Sequence, residues 1–214
     1  MTYSVKEIYY TLQGEGAQSG RPAVFLRFAG CNLWSGREAH RAEAVCRFCD
    51  TEFVGIDGPG GGKFETAMDL AVAVQQAWPS SRKENQPYVV CTGGEPLLQL
   101  DGQLIAALHV AGFEVGVESN GTLAAPDGID WLCISPKGAA PVVQVTGHEL
   151  KLVYPQDEEE AQPENFAEYH FEHFFLQPLD SPAQKENTRR AVDYCLSNPR
   201  WRLSLQTHKL LGID

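Results

Sequence analysis

Three cysteines in the first quarter of the chain have the residue type and spacing of metal ligands. Cys31, Cys46 and Cys49 follow the pattern C-x14-C-x2-C, and the last two form a chelating pair whose sulfurs can reach one centre. Spacing alone leaves three interpretations open. A thioredoxin-like dithiol would use only the last pair, a structural zinc site would add His40 as fourth ligand, and a 4Fe–4S cluster would leave one iron for an external ligand.

The segment between the first two cysteines is rich in helix-forming residues, which predicts a short helix inserted in the loop 31–49. On such a helix, His40 and the neighbouring arginines are expected to face solvent rather than a metal. The other cysteines, Cys91, Cys133 and Cys195, lie within apolar runs and are predicted to be small buried side chains.

A second candidate motif, Thr92-Gly93-Gly94-Glu95-Pro96, directly follows an apolar run. Two glycines let a ligand approach the backbone closely, and a carboxylate after them can hold an ammonium group. Alone, the motif is equally typical of a turn that leads into a helix, with proline near its first position. Together with the cysteines, it favours a ligand site.

Strand and helix patterns alternate along the chain, which predicts an α/β fold with a parallel sheet and right-handed crossovers. The predicted strands are 23–28, 88–91, 113–117, 131–134, 149–153, 174–176 and 201–205, and the predicted helices are 66–78, 100–111 and 182–196, with the acidic run 157–160 as a further helix start. The connections 118–130 and 135–148 are too short and too rich in Gly and Pro for a full helix. We therefore expect a single domain, 1–214, built as an incomplete TIM-like barrel of mostly parallel strands with fewer helices than strands.

Polar residues or glycines directly follow most of the predicted strands, and the carboxyl ends of parallel strands lie along one edge of a sheet. That edge is the usual place for an active site in such folds. The residues concerned are Cys31, the segment 92–95, the segment 118–121, the segment 135–137 and Gln177.

Composition limits the partners and the compartment. The 214 residues include 17 Lys and Arg against 28 Asp and Glu, a net charge of −11, which argues against nucleic acids and anionic membranes as main partners. No apolar run is long enough to span a membrane, and the N-terminus lacks a signal-peptide core. The cysteines are therefore expected to be reduced, in the cytoplasm.

The ordered set of motifs resembles the radical S-adenosylmethionine superfamily and, within it, the 7-carboxy-7-deazaguanine synthase family. The segments that carry the resemblance are 12–16, 27–33, 48–51, 92–96, 118–122, 135–137, 175–178 and 206–209. The superfamily usually has the spacing C-x3-C-x2-C. This chain departs from it in the first gap but keeps the order and the chelating pair.

The resemblance implies a lyase of queuosine and deazapurine biosynthesis. Its members convert 6-carboxy-5,6,7,8-tetrahydropterin to 7-carboxy-7-deazaguanine with loss of ammonia, and they use a 4Fe–4S cluster, S-adenosylmethionine and Mg²⁺. It also implies an external electron donor such as a flavodoxin, and a homodimer.

The resemblance assigns roles to individual residues. The cluster ligands are Cys31, Cys46 and Cys49, and Thr51 is the Mg²⁺ ligand, with Asp50 and Glu52 as rival oxygen donors. The residues that contact S-adenosylmethionine are Phe48, Asp50, Gly94, Glu95, Ser119, Ser135, Pro136, Lys137 and Gln177. The residues that contact the pterin are Leu12, Gln13, Gly14, Glu15, Arg27, Thr92 and His208. The strand pattern independently places Arg27 on the same face as Phe25, pointing into the barrel.

Two other functions compete with the synthase. An activating enzyme of the same superfamily would form a glycyl radical on a protein, but the segment 12–16 and the short chain disfavour it. A non-enzymatic zinc module would use the three cysteines and His40.

Overall fold

A computed structural model describes residues 2–79 and 86–213. Over these ranges the chain forms nine strands and four α-helices. The strands are β1 (Tyr3–Leu12), β2 (Pro22–Phe28), β3 (Gly62–Phe64), β4 (Tyr88–Gly93), β5 (Glu114–Ser119), β6 (Trp131–Ile134), β7 (Thr146–Tyr154), β8 (His170–Pro178) and β9 (Trp201–Leu203). The helices are α1 (Ala67–Ala77), α2 (Gly102–Val110), α3 (Gln184–Ser197) and α4 (Thr207–Leu211).

All nine strands belong to one sheet, in the order β3-β1-β2-β4-β5-β6-β7-β8-β9. From β2 to β9 every neighbouring pair is parallel, whereas β1 pairs antiparallel with both β2 and β3. The sheet has two edges, β3 and β9, so it is an open, incomplete barrel and not a closed one. The predicted α/β fold with mostly parallel strands and fewer helices than strands is confirmed.

Each of the seven predicted strands is present, and β7 and β8 are longer than predicted because their polar first halves hid the pattern. The sequence analysis did not predict β1, β3 or α4. In β1 the buried Lys6 interrupts the alternation of apolar and polar residues. The acidic run 157–160 does not begin an α-helix: only the short 3₁₀ helices Glu159–Ala161 and Pro163–Phe166 form there, because Pro163 cannot extend a helix.

Helices α1, α2 and α3 pack against one face of the sheet, whereas α4 lies at the cavity on the other face. Side chains of β2 alternate between the two faces: Val24, Leu26 and Phe28 join the core beneath the helices, while Phe25 and Arg27 point to the other, concave face. As predicted, no helix forms between β5 and β6 or between β6 and β7. No described helix combines the length and the apolar character needed to cross a bilayer.

Candidate active site

A cavity of about 600 Å³ lies on the concave face of the sheet and reaches the carboxyl ends of its parallel strands. All predicted site residues line this cavity except Glu95 and Pro136. Those that line it are Leu12, Gln13, Gly14, Glu15, Arg27, Cys31, Cys46, Phe48, Cys49, Asp50, Thr51, Thr92, Gly94, Ser119, Ser135, Lys137, Gln177 and His208. Residues from both ends of the chain are therefore brought to one place.

The three cysteines lie on the cavity wall beyond the end of β2. A hydrogen bond from Cys46 lowers the pKa of the Cys49 thiol to about 6, against the opposing effect of burial. Burial raises the pKa of Cys31, whose sulfur accepts the Leu33 N–H at 3.4 Å. All six cysteines of the chain are free thiols.

The donor set fits an iron–sulfur cluster better than a single zinc ion. His40 is exposed, bonds Ser35 through Nδ1 at 3.0 Å and does not line the cavity. Among the described residues, no three His, Cys, Asp or Glu side chains approach closely enough to hold one metal ion. A zinc site needs four ligands around one ion, whereas a cluster spreads its thiolates over different irons.

The two glycines after β4 serve the backbone itself. A side chain at Gly94 would overlap the Gly30 carbonyl, and one at Gly93, whose φ is +147°, would overlap the backbone of Phe28. The Glu95 N–H also donates to the Gly30 carbonyl at 3.0 Å. The glycines therefore let the end of β4 pack directly against the loop that carries Cys31.

Glu95 is fully buried behind the cavity wall. Its carboxylate accepts hydrogen bonds from Leu97 N–H at 2.9 Å, from the Ser119 hydroxyl at 2.8 Å and from Asn120 N–H at 2.8 Å. Burial raises the pKa of Glu95 despite these donors. The hydrogen bonds that Glu95 accepts from Ser119 and Asn120 hold the end of β5 in place.

The strands β6 and β8 bring a further polar group to the rim. Lys137 Nζ donates to the carbonyl of Ser135 at 2.9 Å and also contacts the Ser135 hydroxyl. Gln177 Oε1 accepts from the Ser204 hydroxyl at 3.0 Å. Pro136 is buried, and its carbonyl accepts from Gln156.

The opposite end of the cavity is closed by a network of charged and amide groups. Lys151 Nζ lies 2.7 Å from Glu15 Oε2 and 3.1 Å from Glu118 Oε1. Gln13 Nε2 donates to Glu118 at 2.9 Å, and Gln206 Nε2 donates to Glu15 at 3.0 Å. Side chains from β5 and β7 thus meet the segment that follows β1.

The protonation states of this network follow from burial and charge. Burial alone would raise the pKa of Glu15, but the Lys151 ammonium, with Gln206 and His208, outweighs it and lowers the pKa to about 2. Burial would lower the pKa of Lys151, but the carboxylates of Glu118 and Glu15 raise it well above its ordinary value. At neutral pH, Lys151 is therefore a buried cation beside an ionised Glu15.

Arg27 lies in the cavity, as the strand pattern predicts. Its Nε donates to Glu7 Oε1 at 2.8 Å and its Nη2 donates to the Tyr9 hydroxyl at 2.9 Å. Both partners come from β1, which pairs with β2. One side of the guanidinium is therefore fixed by the neighbouring strand.

The residues around Thr51 are tied to different parts of the fold. Asp50 Oδ2 lies 2.5 Å from Lys209 Nζ, and Glu52 Oε1 lies 2.9 Å from Lys6 Nζ. Thr51 itself lines the cavity between them. The two rival carboxylates are therefore already engaged in ion pairs.

The C-terminal residues close the cavity from the side of the segment after β1. Thr207 donates to the Gly14 carbonyl from both its N–H, at 2.9 Å, and its hydroxyl, at 2.8 Å. A side chain at Gly14 would overlap the imidazole of His208. His208 is thus packed directly against Gly14.

Sequence analysis missed several residues of this cavity, including Lys6, Glu7, Tyr9, Lys151 and Gln206, and assigned no role to Glu118. One local signal was available. Lys151 stands between Leu150 and Leu152 inside an apolar strand, where a charged side chain requires a buried partner. Nothing local marks the others.

Comparisons with known proteins agree with this geometry. The chain is 63% identical over its full length, and the full length of the relative, to a 7-carboxy-7-deazaguanine synthase from Caulobacter vibrioides. It is likewise 63% identical, with full coverage of both chains, to the synthase from Bordetella pertussis. This chain belongs to the 7-carboxy-7-deazaguanine synthase family.

A solved structure supports the same assignment. The crystal structure of QueE from Escherichia coli matches with a TM-score of 0.71 and 27% identity, covering 97% of this chain and 95% of that one. A scan against models of protein families finds no match. Membership of the synthase family makes the chain an enzyme, and the family implies radical S-adenosylmethionine chemistry with an iron–sulfur cluster.

Proposed function

We propose that the chain converts 6-carboxy-5,6,7,8-tetrahydropterin to 7-carboxy-7-deazaguanine with loss of ammonia. One observation carries the proposal: three cysteine thiols and a buried network of Gln13, Glu15 and Lys151 line the same cavity. A structural metal module needs no second polar site beside its ligands. A catalyst that combines a cluster with a polar heterocycle needs both.

Cys31, Cys46 and Cys49 would hold the cluster, leaving one iron for the amino acid part of S-adenosylmethionine. When bound, the cluster and S-adenosylmethionine together supply the radical that abstracts a hydrogen atom from the substrate. The residues proposed to hold S-adenosylmethionine are Phe48, Asp50, Gly94, Glu95, Ser119, Ser135, Pro136, Lys137 and Gln177. Because Glu95 and Pro136 lie behind the wall, their part is to fix Ser119 and the backbone between Ser135 and Lys137.

The residues proposed for the pterin are Leu12, Gln13, Gly14, Glu15, Arg27, Thr92 and His208. With Glu15 ionised beside the Lys151 ammonium, the closed end of the cavity offers carboxylate acceptors to the N–H edge of a pterin. Arg27 is a fixed cation that suits the substrate carboxylate. Together these groups orient the ring and exclude water from the reacting carbon.

Thr51 is the proposed Mg²⁺ ligand. A hydroxyl oxygen is a ligand that Mg²⁺ accepts together with waters and substrate oxygens. Pairing of Asp50 with Lys209 and of Glu52 with Lys6 supports this choice, because binding Mg²⁺ through either carboxylate would require an ion pair to break.

The proposed partners are an external one-electron donor such as a flavodoxin and a second copy of the chain. Leu210 and Leu211 of α4 are 71% and 65% exposed, and they are apolar side chains that a second copy would cover. The six free thiols suit a reducing compartment such as the cytoplasm.

The experiment is anaerobic reconstitution with iron and sulfide, followed by incubation with dithionite, S-adenosylmethionine, Mg²⁺ and the carboxytetrahydropterin. We expect a brown protein and a product with deazapurine absorbance, and we expect Cys31→Ala to abolish formation of that product. Cys195→Ala, which removes a thiol away from the cavity, is the matched control. A colourless protein that binds zinc, or product formation by the Cys31 variant, would contradict the proposal.

A further inference from the structure

The long gap between the first two cysteines folds as a compact insertion, residues 32–45. Its two ends meet where Val45 N–H donates to the Leu33 carbonyl at 3.1 Å. The middle forms the 3₁₀ helix Glu38–Glu43. Trp34 is buried and packs edge-on against Phe53 with ring centroids 5.6 Å apart. The insertion is therefore attached both to itself and to the chain beyond the third cysteine.

One side chain of the insertion reaches back to the chelating pair. Arg41 Nη1 donates to the carbonyl of Arg47 at 2.8 Å and to the carbonyl of Cys49 at 3.0 Å. One of these carbonyls lies inside the Cys46-Arg47-Phe48-Cys49 turn and the other ends it. A single guanidinium thus joins two successive parts of the turn that presents both sulfurs.

The guanidinium is itself held in place. Arg41 Nε donates to both carboxylate oxygens of Glu38, at 2.8 and 2.9 Å. Its plane lies over the ring of Trp34, 4.1 Å from the centroid. Because the planar fork is fixed by an ion pair on one side and a ring on its face, its donors point at the turn with little freedom to rotate.

We infer that Arg41 is a positioning residue for the iron–sulfur cluster, and that the insertion exists to deliver it to the Cys46–Cys49 turn. The inference rests on the proposed function, in which these cysteines hold the cluster. Hydrogen bonds from a charged donor to the two carbonyls fix the turn in the shape that aims both thiolates at the cavity. A lysine at this position keeps the charge but loses the planar fork and the stacking on Trp34.

The same loop supplies a matched control. Arg47 is exposed, carries the same charge within the chelating pair itself, and its side chain makes no hydrogen bond or ion pair with any described residue. Replacing Arg47 therefore removes a nearby positive charge and leaves the backbone contacts of the turn intact. Comparison of the two arginines separates positioning from charge.

The experiment compares the anaerobically reconstituted full chain with its Arg41→Gln, Arg41→Lys and Arg47→Gln variants. The readouts are the rate of iron loss to a ferrous chelator and the electron paramagnetic resonance spectrum of the reduced cluster, with and without S-adenosylmethionine. We expect both Arg41 variants to lose iron about tenfold faster, equivalent to roughly 1.4 kcal/mol, and to give altered spectra. Arg47→Gln is expected to match the wild type. Far-ultraviolet circular dichroism verifies folding.

Each other outcome decides a different question. A wild-type chain without cluster absorbance overturns the proposed function and, with it, the cluster-positioning role of Arg41. A wild type with a cluster, but Arg41→Gln and Arg47→Gln variants that behave alike, overturns the positioning role. Full recovery in Arg41→Lys does the same, because charge alone would then suffice. If Arg41→Gln fails to fold, Arg41→Lys, which keeps the long stem of the side chain, still gives the answer.

Discussion

Replacing Lys151 with methionine tests the assignment of charges at the closed end of the cavity. Lys151 is the cation between Glu15 and Glu118 and its side chain is only 4% exposed. Methionine keeps most of the volume but removes the ammonium. The variant therefore leaves carboxylates facing each other across a buried site without the charge that stabilises them.

The expected loss of stability follows from the pKa shift of Glu15. Its pKa is lowered from 4.5 to about 2, even though burial opposes the shift. A shift of that size corresponds to roughly 3 kcal/mol of folding free energy at neutral pH. Removing one partner of a buried ion pair costs about 3–5 kcal/mol in general, so we expect Lys151→Met to lower the free energy of unfolding by about 3 kcal/mol at pH 7.

The stability of the Lys151→Met variant should change with pH in the opposite direction to that of the wild type. In the wild type the folded pKa of Glu15 lies below the unfolded value, so its contribution to stability is present above pH 4.5 and is lost as the pH falls towards 2. Without Lys151, burial dominates and raises the pKa of Glu15 above its ordinary value. The penalty is then greatest at neutral pH, and the variant should recover stability relative to the wild type as the pH falls towards 5.

Urea unfolding of the iron-free protein at pH 7 and pH 5, followed by tryptophan fluorescence, measures both effects. Lys185→Met, which removes an exposed lysine at the start of α3, is the matched control and should change stability by less than about 0.5 kcal/mol. The double variant Lys151→Met, Glu15→Gln should recover part of the loss. A Lys151→Met protein as stable as the control at both pH values would refute the reasoning.

Three further substitutions test other contacts. Gly16→Ala should lower the free energy of unfolding by at least about 2 kcal/mol, because the φ of Gly16 is +63° and a side chain there would overlap Glu149. The control Gly20→Ala, where φ is +86° but the space is open, should lower it by about 1 kcal/mol. Equal losses for the two variants in urea unfolding would exclude the overlap. Lys209→Met should raise the KM for S-adenosylmethionine several-fold with little loss of stability, because this partly exposed lysine pairs with both Asp50 and Asp180 beside the cavity. An unchanged KM would show that these ion pairs do not contribute to S-adenosylmethionine binding. Asp101→Ala removes the cap of α2 and should lower the free energy of unfolding by about 1–2 kcal/mol, and a shift in urea midpoint near zero would contradict this.

Local patterns were sufficient where a strand is buried on both faces or a helix has a clear start. The apolar runs at β2, β4 and β6 and the cap Thr66 of α1 are properties of a few adjacent residues. Local patterns failed for β1. There, Lys6 and Glu7 face polar surroundings on the concave side, where Glu7 pairs with Arg27. The register of β1 shifts between Val5 and Glu7, so that the adjacent Lys6 and Glu7 both reach the cavity and the alternation by which strands are recognised is broken.

The glycines and the acid after β4 illustrate a different limit. Their types pointed to a ligand site, and Gly94 does line the cavity. What the two glycines mainly accommodate is the backbone of the loop that carries Cys31, and what Glu95 holds is the end of β5. Sequence indicates that close approach or a carboxylate is needed at a position, but not which neighbour requires it.

The sequence by itself determined the kind of chemistry. Spacing alone left three uses of the cysteine pair open, and the order of short motifs was enough to identify the family and with it the chemistry. Only the tertiary structure decided which charges meet. Glu15, Glu118 and Lys151 come from distant parts of the chain, and their ionisation depends on burial and on separations of about 3 Å that are set by sheet register and strand order. The same holds for Arg41, whose hydrogen bonds to the carbonyls of Arg47 and Cys49 depend on how its loop folds back.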